Sequence, residues 1–113
     1  MEKIIKIGDK SVGFKSTGAL PLRYKNQFKR NLFADVMKLE KAIIIKDGQA
    51  VIDYDNFDDE IIYSLAWVCA KTYDNSILPP MEWFDSFDIF PINEVITEIT
   101  ELIYNSLQQT QKK

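Results

Sequence analysis

The chain reads as a small α+β protein, mostly helical: a short N-terminal β-hairpin followed by about four helices. Three features predict it. Near the N-terminus, apolar residues alternate with polar ones on either side of Gly8-Asp9, the pattern of a hairpin. Beyond Pro21 they recur every three or four residues instead, the period of a helix. Finally, 113 residues, 46% of them hydrophobic, amount to a single domain over 1–113 with no room for a second core.

The elements follow in order. Lys3–Ile7, a Gly8-Asp9 turn and a return strand carrying Val12 and Phe14 make a hairpin over 3–15. Two strands alone are marginal in water, so they must lie on helices or pair with another chain. Ser16-Thr17-Gly18 is loop, and Pro21 suits a first helical turn. Tyr24, Phe28, Leu32, Val36 and Leu39 then form one apolar stripe, which Phe33 and Met37 widen. A helix over about 21–45 is expected. Ile43–Ile45 reads either as its end or as a strand, because Asp47-Gly48 is a turn signal and 42–46 could pair with 50–54. The favoured reading runs the helix on and places a loop from Asp47. Asp55 or Asn56 caps the next helix, 57–73, with Asp58, Asp59 and Glu60 at the end where the helix dipole favours carboxylates. Its stripe is Phe57, Ile61, Leu65, Val68 or Cys69, and Thr72. Pro79-Pro80 starts a short helix, 80–87, and the last helix spans about 92–108 with Val95, Ile99 and Leu102 or Ile103 inward.

Charge is unevenly distributed. Residues 1–46 hold eleven Lys or Arg and four Asp or Glu, net +7, and residues 47–113 hold three against thirteen, net −10. Such asymmetry can orient a partner, although halves that fold together would mix these charges on one surface. The acidic half and the lack of a reader motif weigh against nucleic acid as a partner. No apolar run approaches membrane-spanning length, and the N-terminus has no signal-peptide pattern. A cytoplasmic protein without a membrane partner is the expectation.

Catalysis finds little to work with. There is no histidine, the usual base near neutral pH, and the single Cys69 sits in an apolar helical stretch. Asp55, Asp58 and Asp59 crowd one helix start, and Asp85 and Asp88 could share a helix end. They lack the spacing of a calcium loop, and no Gly-rich phosphate loop exists. Glu82 is a lone carboxylate without a positioned partner. The reading is a non-enzyme needing no metal or cofactor.

The segment MEWFDSFDIF stands apart, with six large apolar residues in ten. One aromatic core layer accounts for it. Alternatively Trp83, Phe84 and Phe87 reach outward to anchor a partner, since aromatics dominate interface energetics. Tyr104 and Leu107 on the wide-striped last helix form a second candidate patch, for a homotypic contact or a partner helix.

These pieces together resemble a family. Ala66-Trp67-Val68-Cys69-Ala70-Lys71, then Pro80 with Glu82-Trp83-Phe84-Asp85-Ser86-Phe87, preceded by Phe14-Lys15-Ser16-Thr17 and by Arg23-Tyr24 with Phe28, are similar to the tail assembly chaperones of long-tailed phages and prophages of Gram-positive bacteria. Members often have Gly after that Phe. Lys29 stands there here, which predicts a more regular helix. The resemblance implies a non-enzymatic protein that coats the tape measure protein in the host cytoplasm and helps recruit tail tube subunits. It would be absent from the mature virion and could form a homo-oligomer. The competing readings are a small nucleic-acid binder using the basic residues 23–30 and a structural head–tail or tail subunit.

Overall fold

A computed structural model describes residues 1–53, 55 and 58–107. The fold is a small α+β arrangement with an N-terminal hairpin, as the alternation near Gly8 predicts. Strand β1 (Glu2–Ile7) pairs antiparallel with β2 (Lys10–Lys15), Ile5 opposite Val12. Gly8 has φ +64° and takes the first central position of the turn, where a left-handed conformation is needed. Ile7 and Phe14 are buried, with Ile5 and Val12 packed beside them, while Ile4 faces out.

The single helix expected over 21–45 is two helices and a strand. Helix α1 (Leu20–Phe28) stops because Lys29 adopts φ +60°, ψ +35°, and its N–H bonds back to the carbonyl of Lys25. The more regular helix expected from Lys at this position is therefore not formed. Asn31 then caps α2 (Leu32–Ala42), accepting a hydrogen bond from the Ala34 N–H at 2.9 Å. Ile43–Ile45 leaves the helix as β3 (Ile43–Lys46), which pairs with β4 (Gln49–Ile52). Asp47 and Gly48 both have positive φ, 51° and 80°, as a two-residue type I′ hairpin turn requires. The loop expected from Asp47 is replaced by this second hairpin. Three consecutive isoleucines favour the strand, because β-branched side chains lose rotamer freedom in a helix.

Helix α3 (Asp59–Tyr73) is the centre of the molecule. Ile61, Ile62 and every residue from Ser64 to Ala70 are buried, so it is covered nearly all round. It packs on β2, α1, α2 and α5. Its cap is Asp58, which accepts from the Glu60 N–H at 3.1 Å, rather than Asp55. The other capping candidate, Asn56, and Phe57 of the expected stripe lie outside the described residues. Ala66 and Ala70 keep this helix narrow where neighbours approach. Helix α4 (Pro80–Asp85) follows Pro79, and α5 (Ile92–Leu107) closes the core with Val95, Ile96, Ile99, Leu102 and Ile103. Five helices thus stand among the described residues. Lys3 of β1 forms an ion pair with Glu98 of α5, joining the basic and acidic halves on one surface.

Candidate functional site

The aromatic segment builds its surface from α4. Pro80 stands in the first turn of α4, where its missing N–H costs nothing. One helical turn and a following tight turn then place Trp83, Phe84, Phe87 and Phe90 around one point. Trp83 is only 7% exposed and belongs to the core. The outward anchor considered for it is not how it lies. Its ring instead supports the next two edge-on, at 4.9 Å from Phe84 and 5.0 Å from Phe87. Phe84 meets Tyr63 of α3 at 4.8 Å and Phe90 at 5.1 Å, both nearly perpendicular. Edge-to-face pairs of this kind contribute roughly 0.5–1.5 kcal/mol each beyond their buried area, so the cluster is a firm wall.

Phe84 and Phe87 are half-buried, and their remaining surface opens on a cleft of about 640 Å³ between α3 and α4. Phe28, Tyr63, Met81 and Phe90 complete its apolar lining, and Met81 at the mouth is 72% exposed. The cleft is rimmed by Glu60, Asp85 and Asp88. Glu60 lies 3.4 Å from Arg30, whereas Asp85 and Asp88 form no ion pair among the described residues. The two aspartates considered together in the sequence do share one surface, the edge of this cleft.

Tyr104 and Leu107 lie elsewhere, on the face of α5 that meets α2. With Phe33, Val36 and Met37 they line a smaller groove of about 280 Å³. Phe33 and Met37 are 54% and 60% exposed. The sequence puts these two on the core stripe. In α2, Leu32, Val36 and Leu39 are buried, whereas Phe33 and Met37 face out. Phe28 and Tyr63 are the cleft residues that the sequence does not join to this aromatic segment. They stand on α1 and α3, and no local pattern links either to α4.

Cys69 is fully buried, and burial pushes its thiol up to about 12. Among the described residues, no group of three or more Asp, Glu, Cys or His is arranged to hold a metal ion. Of the basic residues 23–30, Arg23, Lys25 and Lys29 are exposed. Arg30 turns back to Asp35 and Glu60. Among the described residues no helix is long and apolar enough to cross a membrane. No family model, curated protein or solved structure matches the chain.

Proposed function

We propose that this chain is a non-enzymatic protein-binding module acting as a phage tail assembly chaperone. It holds the tape measure protein in solution in the host cytoplasm, assists tail tube assembly and leaves before the virion is complete. One observation supports this reading above the others: an open, aromatic-walled cleft lies on the same residues, Phe84 and Phe87, that carry the family resemblance. A tape measure is a long amphipathic helix with apolar surface uncovered before assembly. Small helical domains that each offer one such cleft can cover it by repetition, with modest affinity per copy so that tube subunits displace them. The net charge of −3 helps to keep a coated complex dispersed.

Coexpression with the large helix-rich protein of the neighbouring gene tests the reading. Soluble co-purification of the two chains is expected. A tape measure that stays insoluble, or one that is soluble without retaining this chain, overturns the proposal. Finding the chain in purified mature particles would instead favour a structural subunit.

A further inference from the structure

We propose that the cleft between α3 and α4 seats an amphipathic helix whose apolar face is flanked by Lys or Arg. This deepens the reading above and rests on it for the kind of occupant, a helical polypeptide. The walls come from α1, α3, α4 and the connector through Phe90, so no strand edge is offered to an extended peptide. A helix laid into an apolar groove is a common mode of peptide docking, and it is the one that suits the amphipathic client proposed above. A small molecule fits less well, since such ligands are mostly enclosed. Here Met81, Asp85 and Asp88 stand exposed along the edge.

Charge decides the flanks. Asp85 and Asp88 are exposed carboxylates without an ion pair among the described residues, on the rim of an apolar floor. The cations nearby are engaged elsewhere. Arg30 reaches Asp35 at 2.7 Å as well as Glu60, and Lys10 donates to the Ser86 carbonyl at 2.9 Å, over the far side of Phe87. A helix carrying acidic flanks would meet like charge at the rim, and one carrying basic flanks would find unpaired partners.

Two 18-residue peptides test this, both with the same leucine stripe, one flanked by Lys and the other by Glu. Their binding to the full chain is followed by tryptophan fluorescence, since Trp83 backs the cleft. The Lys peptide is expected to bind about tenfold more tightly at low salt, each exposed pair adding roughly two- to fivefold. The preference should shrink as salt rises. Asp85→Asn with Asp88→Asn should remove most of it, and Met81→Arg should abolish binding. All three sites are exposed, and unchanged melting temperatures will confirm that the variants fold. Equal binding of both peptides, or a preference untouched by the asparagine pair, overturns the inference. So does a dimer of this chain that Met81→Arg dissociates while neither peptide binds. The peptide preference without any tape measure binding would sink the proposed function alone. Tape measure binding without the preference would sink this inference alone.

Discussion

The phenol of Tyr24 donates to Asp35 Oδ2 at 2.6 Å, inside the protein, and ties α1 to α2 across the break at Lys29. Arg30 Nε reaches the same oxygen at 2.7 Å. Both partners sit in or beside the core, Tyr24 fully buried and Asp35 4% exposed. One carboxylate thus joins α1, the link at Arg30 and α2.

Removing the acceptor should therefore be costly. Asp35→Ala leaves the buried Tyr24 hydroxyl without its acceptor and takes from Arg30 its shortest ion pair. A loss of about 2–3 kcal/mol is expected, or roughly 10 °C in melting temperature. The same carboxylate gives a pH signature. Burial pushes its pKa up, but the hydrogen bonds from Arg30 and Tyr24 outweigh burial and hold it below the usual range. A depressed folded value means stability is present above the unfolded value of about 3.9 and lost as pH falls below it. Asp35→Asn should flatten the stability profile below about pH 4 relative to wild type. Denaturant melts between pH 2 and 6 measure this, and parallel profiles would refute the role given to Asp35.

Lys29 offers a stabilising change. Its φ of +60° lies in the region where a Cβ is strained, and glycine is the residue that suits a helix end there. Lys29→Gly gives up one exposed bond to the Asn26 carbonyl and some unfolded-state restriction. A net gain of about 0.5–1 kcal/mol is expected, read as a higher denaturant midpoint with an unchanged slope.

Gly13 tests how β2 meets α3. A Cβ built there would stand 2.2–2.4 Å from three ring carbons of Tyr73, far inside contact distance. Gly13→Ala must therefore push that ring aside, at an expected cost of about 1–2 kcal/mol. In a Tyr73→Ala background the same change should cost almost nothing. A double-mutant cycle showing additive effects would mean that the ring does not rest on this glycine.

The hairpin at Gly8, the central helix and the last helix were legible because each has a strong period and a local start or stop signal. The break after Phe28 was not. Leu32, Val36 and Leu39 continue the spacing of Tyr24 and Phe28, so the stripe runs unbroken through a residue that leaves the helical region. Asn31, a favoured capping residue inside the stripe, was the signal that could have located it. The second hairpin was visible as Asp47-Gly48 beside β-branched residues and lost to the helix because short apolar runs fit either period. At the cleft, Phe84 and Phe87 were readable as an unusual aromatic density. The inward turn of Trp83 and the contributions of Phe28 and Tyr63 depend on tertiary packing, which spacing along the chain does not encode.

The most direct test compares how much tape measure protein is retained by the wild-type chain and by Met81→Arg at matched expression. Met81 is largely solvent-exposed, so the substitution should leave the fold intact while placing a cation at the mouth of the cleft. At least a tenfold drop in retained protein is expected, with the melting temperature unchanged. Equal retention by both chains would contradict the placing of the client in this cleft.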